Sequence, residues 1–154
     1  MSANIASLEA RRLLERLNRL ASQNSTGEIG SWCEEVRTTV AEEETAAFLQ
    51  AATGGLLSLL GGLVRNNKLD ELADLMYLLS DRTGSLLRTK LRLPVVLLFF
   101  GGPMLRDCLT FLLKRRNENT AEDTLYNALC LFQNVNSVSF LLCAKYFPVS
   151  LFHW

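Results

Sequence analysis

Apolar positions recur every three or four residues along most of the chain, and leucine supplies many of them from residue 45 to residue 154. This spacing places apolar side chains on one side of successive α-helices. It predicts an all-α fold, either a compact bundle of about six to eight helices or a stack of helical hairpins. Pairs at 46–80, 84–116 and 120–147, spaced by roughly 35 residues, suggest the second arrangement.

The N-terminal region is predicted to be an amphipathic helix at about residues 3–22, capped by Ser2 or Ser7. A loop is expected at 22–31, because SQNSTGEIGS is rich in turn-forming residues. Ser31 and Glu34 then have the spacing of a capping box and predict the start of a second helix. We interpret residues 1–154 as a single helical domain.

Residues 46–64, AAFLQAATGGLLSLLGGLV, carry no charge and approach the length of about 20 residues that a bilayer-spanning helix needs. Polar side chains and two Gly-Gly pairs lower their hydrophobicity and helix propensity. Small residues also let helices approach closely, in a protein core or in lipid. We expect a helix buried in the protein, with a membrane-inserted segment as the alternative.

Capping and turn residues predict the bounds of the later helices. Asn67 is expected to cap one helix, which Asp81-Arg82-Thr83-Gly84 should end. Pro103 suits the first turn of another helix. Thr120 should cap a further helix, broken by QNVNS at 133–137. The apolar face of that helix is predicted to comprise Leu125, Ala128, Leu129 and Phe132.

The stretch LPVVLLFFGG at 93–102 contains six consecutive apolar residues. It is similar to the central hydrophobic helix of Bcl-2-like proteins, where an apolar run ends in small residues. In those proteins a Gly-Arg pair precedes the run, and its arginine holds the aspartate of a bound helix. No such pair precedes the run here, so the similarity does not predict helix binding in a groove.

The charge of the chain is balanced overall but uneven along its length. Hydrophobic residues make up 49% and charged residues 21%, with a formal net charge of zero. The balance disfavours nucleic acid as a partner. Residues 1–81 have 7 Lys or Arg against 12 Asp or Glu, a net charge of −5, and residues 82–154 have 9 against 4, a net charge of +5. Such halves can attract each other within one molecule or between copies.

Few residues are suited to catalysis or metal binding. His153 is the only histidine, and the cysteines form no CxxC pair, so neither a zinc site nor a histidine-activated nucleophile is predicted. Cys33 adjoins Glu34 and Glu35, whose charge should raise the thiol pKa. The other three cysteines are expected to be core thiols: Cys108, Cys130 and Cys143. We predict no catalytic, cofactor or metal site and a protein that is not an enzyme.

The remaining prediction is a protein that acts by protein contact, through an apolar groove or through self-association as a homo-oligomer. A cytoplasmic location is expected, because the N-terminus lacks the apolar segment of a secretory signal. The alternative is a membrane-associated protein with 46–64 inserted and the basic segment 88–92 near anionic headgroups. Aromatic and basic residues are predicted to contact the partner: Trp32, Arg88, Lys90, Arg92, Phe152 and Trp154.

Overall fold

The computed structural model describes residues 7–23, 26–88 and 103–146, with side chains at 7–23, 27–88 and 104–135. This part of the chain forms no strand, so the predicted all-α fold is confirmed. Two 3₁₀ turns, Thr26–Glu28 and Glu42–Glu44, precede the second and third helices. The described ranges contain six α-helices: α1 Leu8–Gln23, α2 Ile29–Thr39, α3 Thr45–Arg65, α4 Leu69–Arg88, α5 Pro103–Leu113 and α6 Asn119–Tyr146.

Helix α4 lies at the centre of the packing and contacts α2, α3 and α6. Helix α3 packs against α1, α4 and α5, and α5 also contacts α6. The pair predicted at 120–147 is instead the single helix α6, which packs on α4 as well as on its sequence neighbour α5. The described helices therefore form a compact bundle rather than a row of stacked hairpins.

The core consists mainly of leucine side chains around two aromatic rings. Trp32 and Phe48 are fully buried, with ring centroids 6.2 Å apart. The indole N–H of Trp32 donates to the carbonyl of Leu13 at 2.9 Å, which satisfies the buried donor and joins α2 to α1. Other fully buried side chains are Leu17, Ile29, Leu49, Leu56, Leu60, Leu63, Leu72, Leu75 and Met76.

The starts of α1 and α2 test the two predicted caps. Ser7 does cap α1, because its Oγ accepts a hydrogen bond from the backbone N–H of Ala10 at 3.2 Å. The predicted capping box at Ser31 is wrong, because Ser31 lies inside α2. Its hydroxyl donates to the Glu28 carbonyl at 3.1 Å. The 3₁₀ turn at Thr26–Glu28 already directs the chain into the helix, so α2 begins earlier than the predicted loop allowed.

Asn67 ends α3 instead of capping α4 as predicted. Its φ is 60°, in the left-handed region. The N–H of Lys68 donates to Leu63 at 2.9 Å and the N–H of Asn67 donates to Val64 at 3.4 Å, which is the hydrogen-bond pattern of a Schellman motif. Asparagine tolerates this conformation better than other non-glycine residues, which explains its place at the turn.

Helices α4 and α6 both continue through the positions predicted to end or break them. Thr83 is buried in α4, and its hydroxyl donates to the carbonyl of Leu79 at 2.7 Å. The side-chain amide of Asn134 in α6 donates to Thr83 Oγ1 at 2.9 Å and to the Ser80 carbonyl at 3.2 Å. The polar residues that suggested two helix ends thus bond to each other across the α4–α6 interface.

The start of α6 also differs from the prediction. The helix begins at Asn119, so Thr120 lies within its first turn rather than at the cap. The Thr120 carbonyl accepts a hydrogen bond from Thr124 Oγ1 at 2.6 Å. By contrast, Pro103 occupies the first position of α5 as predicted, where its missing N–H leaves no intrahelical bond unmade.

Candidate protein-interaction surface

A row of large apolar side chains lies exposed on the outer side of α6. Tyr126 is 70% exposed, Leu129 51% and Phe132 38%. The three residues are spaced by three positions, so they lie on successive turns and form a row that winds about 60° around the helix at each step. We name them the α6 stripe. Exposed residues of this size and type are characteristic of surfaces that bind other proteins.

The opposite side of α6 explains why the α6 stripe faces outward. Its buried residues are mostly small or aliphatic: Ala121, Thr124, Ala128, Leu131 and Val135. A helix at the surface of a bundle buries one side only, and Tyr126 lies opposite the buried row. Leu129 and Phe132 lie progressively nearer to that row, which matches their lower exposure. The predicted face was therefore partly wrong: Ala128 is buried and Leu125 half-buried, but Leu129 and Phe132 are exposed.

Acidic side chains lie at the N-terminal end of the α6 stripe. Glu122 and Asp123 are exposed within the turn before Tyr126. Neither forms an ion pair with another described residue. The surface thus combines an apolar row with an uncompensated negative end, which favours a partner that is apolar and basic.

A recess lies between the C-terminal end of α3 and α5. Its volume is about 400 Å³, and Val64 and Phe111 form its apolar part. The guanidinium carbon of Arg115 lies 3.9 Å from the centroid of the Phe111 ring. The hydroxyl of Thr110 already donates to the Arg106 carbonyl at 3.0 Å. The remaining lining residues are Asp107 and Lys114.

The residues predicted to contact a partner differ in their exposure, and several of them lie outside the described residues. Trp32 is fully buried, so the prediction that it contacts a partner is not supported: its ring packs in the core and is inaccessible as the chain is folded. Arg88 is exposed in the last turn of α4. Lys90, Arg92, Phe152 and Trp154 lie outside the described residues, as does the run at 93–102. The sequence did not single out Tyr126.

Two buried cysteines, Cys33 and Cys108, are poor nucleophiles in this fold. Burial, reinforced by the carboxylate of Asp74, raises the pKa of Cys33 to about 12. Burial, with Asp107 nearby, raises the pKa of Cys108 to about 12 as well. The predicted direction at Cys33 is therefore confirmed, but burial is the main cause and the carboxylate belongs to α4 rather than to Glu34 or Glu35. Cys130 is half-buried.

Within the described residues, no group of three or more His, Cys, Asp and Glu side chains is placed to bind a metal ion. Comparisons of the chain with protein families, curated proteins and solved structures found no match. The exposed surfaces of the bundle are therefore the features that bear on function.

Proposed function

We propose that this protein is a non-enzymatic interaction protein whose α6 stripe binds a helix of a partner protein. The observation that carries the proposal is the 70% exposure of Tyr126 beside Leu129 and Phe132. Tyrosine is enriched among the residues that dominate interface energetics, because it buries a large rigid ring and retains a polar hydroxyl.

The geometry of the α6 stripe supports a helix as the bound element. Its side chains form a ridge at three-residue spacing, which fits the groove beside a similar ridge on another helix. Glu122 and Asp123 favour a partner helix with Lys or Arg next to its apolar side. The proposed partner segment is thus an amphipathic, basic helix.

A photo-crosslinking amino acid at position 129 of the full chain would test this proposal. The same amino acid at Glu15, an exposed position on α1, provides the matched control. We expect a specific adduct from position 129 that the control lacks. The cross-linked peptide should have apolar residues at helical spacing and neighbouring basic residues.

The dissociation constant for the purified partner then tests whether the α6 stripe is the binding site. Leu129→Asp should weaken binding at least about tenfold, since it places a charge in the desolvated centre of the interface. Glu15→Ala should leave the dissociation constant unchanged. Equal affinities of wild type and Leu129→Asp would contradict the proposal.

Membrane association through α3 is a second candidate, favoured by one observation. The helical segment Glu42–Arg65 is the one described element long and apolar enough to span a bilayer, with a mean hydropathy of 1.6. Half of its most apolar stretch is nevertheless buried in the protein. Insertion would withdraw Phe48 and Leu56 from the core, at a cost of about 1.5–3 kcal/mol for each large side chain unless lipid replaced the lost contacts.

Flotation with anionic liposomes tests this second candidate. Insertion predicts that the full chain floats with the liposomes at high as well as low ionic strength, because buried apolar surface is not screened by salt. Protein that remains at the bottom of the gradient under both conditions would contradict it.

A further inference from the structure

The outer side of α3 is a second unpartnered helix face. Gln50, Ala51, Gly54 and Ser58 are exposed, and Ala47 and Leu57 are half-buried. A Cβ at Gly54 would meet no atom within 4 Å, so the space above it is open. We name these six residues the α3 face. The face belongs to an apolar helix, and half of the most apolar stretch of that helix is not buried in the protein. Apolar surface of this kind is typical of a contact with another molecule.

Opposite charges lie at the two ends of the α3 face. Glu43 is exposed before its first turn and Arg65 is exposed after its last turn. Arg65 turns back along the helix, with Nη1 3.0 Å from where a Cβ at Gly61 would lie, and Met104 of α5 covers the same point at 3.2 Å. Neither residue forms an ion pair with another described residue. About 22 residues of helix separate them by roughly 30 Å, too far for one to neutralise the other within one molecule.

We propose that the α3 face binds the α3 face of a second copy of this chain, with the two helices antiparallel about a twofold axis at Gly54. Glu43 lies eleven residues before Gly54 and Arg65 eleven residues after it. Antiparallel pairing therefore brings Glu43 of each copy to Arg65 of the other, at both ends of the interface. A parallel pair would instead place like charges together, which disfavours that orientation.

The side chains between the charged ends also suit this pairing. Gln50 lies four residues before Gly54 and Ser58 four residues after it, so each amide faces a hydroxyl of the other copy. Gly54 and Ala51 are small enough for the two backbones to approach more closely than larger side chains would allow. A twofold axis makes the surface self-complementary, which produces a closed dimer rather than a filament.

The first test measures the mass of the full chain by sedimentation velocity over a range of concentrations in the absence of lipid. We expect a reversible dimer. Gly54→Phe should weaken it at least about tenfold, because a ring at the axis holds the two backbones apart. A Cβ at Gly54 meets no atom within 4 Å in the monomer, and phenylalanine has a higher helix propensity than glycine.

The matched control is Gly27→Phe. Gly27 is the other described glycine whose added Cβ would have no neighbour within 4 Å, and it lies in the turn between α1 and α2. This variant should dimerise like the wild type. Leu129→Asp should also leave the dimer intact, so that failure of this proposal and failure of the α6 stripe as a partner site can be distinguished.

A charge exchange tests the orientation. Glu43→Arg and Arg65→Glu should each weaken the dimer, because each places like charges at both ends of the interface. The double variant should recover wild-type affinity, which a loss of folding in either single variant would not explain. A wild type that stays monomeric at all concentrations would overturn the proposal, as would a dimer indifferent to Gly54→Phe, or a protein that binds lipid through α3 as a monomer.

Discussion

Asn67 is the one described residue other than glycine with a positive φ. Its conformation lets the chain reverse between α3 and α4, because two backbone N–H groups bond back to the last turn of α3. The preceding residue, Asn66, has a φ of −98° and needs no such tolerance. Two adjacent asparagines thus occupy different backbone conformations.

We expect Asn67→Ala to lower the free energy of unfolding by about 1 kcal/mol, because alanine is strained in the left-handed region. Asn66→Ala should change it by less than about 0.5 kcal/mol. Asn67→Gly should be neutral or stabilising, since glycine adopts a positive φ without strain. Urea denaturation measures all three variants, and equal losses at positions 66 and 67 would contradict the explanation.

Asp74 is the described carboxylate whose surroundings disfavour its charge. Although Asp74 is an exposed residue, partial desolvation of its carboxylate raises the pKa and Asp70 raises it further, while Arg37 acts in the opposite direction. Because the pKa in the folded state exceeds that in the unfolded state, ionisation of Asp74 reduces stability at neutral pH. This penalty disappears as the pH falls through the raised pKa and then through the unfolded value near about 3.9.

Asp74→Asn should therefore be more stable than the wild type near neutral pH, and its advantage should shrink as the pH is lowered. Urea denaturation at several pH values measures the difference. A difference that does not vary with pH would show that the effect comes from lost contacts rather than from the charge.

At the scale of the elements, the adjacent glycines of α3 have opposite surroundings. Gly54 faces open space. A Cβ at Gly55 would lie 2.8 Å from Cγ of Leu17, a fully buried residue of α1. The absence of a side chain at Gly55 is thus what allows α1 to approach α3, whereas Gly54 has no such role in the monomer.

Gly54→Ala should raise the free energy of unfolding by about 0.5–1 kcal/mol, the difference in helix propensity between the two residues. Gly55→Ala should lower it by about 1–3 kcal/mol despite the same gain in propensity, because Leu17 cannot move without disturbing the core. Urea denaturation at a low protein concentration separates these effects from any association. Effects of the same sign at both positions would contradict the packing explanation.

The existence of the helices was more predictable than their ends. The apolar pattern correctly indicated α3 and α4, and Ser7 is one of the two serines predicted to cap α1. Thr83 and Asn134 misled the prediction because, viewed locally, such residues compete with helical hydrogen bonds. Their mutual hydrogen bond connects residues 51 positions apart, and no local pattern contains that information.

For the whole molecule, the proposed α3 dimer predicts a stability that depends on protein concentration. Because only the folded chain dimerises, the Tm of the wild type should rise by a few degrees for each tenfold increase in concentration. The Tm of Gly54→Phe should be nearly constant, and that of Gly27→Phe should rise like the wild type. Scanning calorimetry or circular dichroism over a hundredfold range tests this, and a constant wild-type Tm would count against a dimer.

Apolar spacing alone was enough to predict the all-α fold and leucine-rich core of the described residues, because helix periodicity is a local property. The same pattern left open which side of each helix would be buried. Trp32 could have been a surface anchor, but Leu13 and Phe48 enclose it. Leu129 and Phe132 resembled core residues, but Ala128, Leu131 and Val135 of α6 pack inward instead. Only the packing of helices distant in sequence determined the α6 stripe and the α3 face.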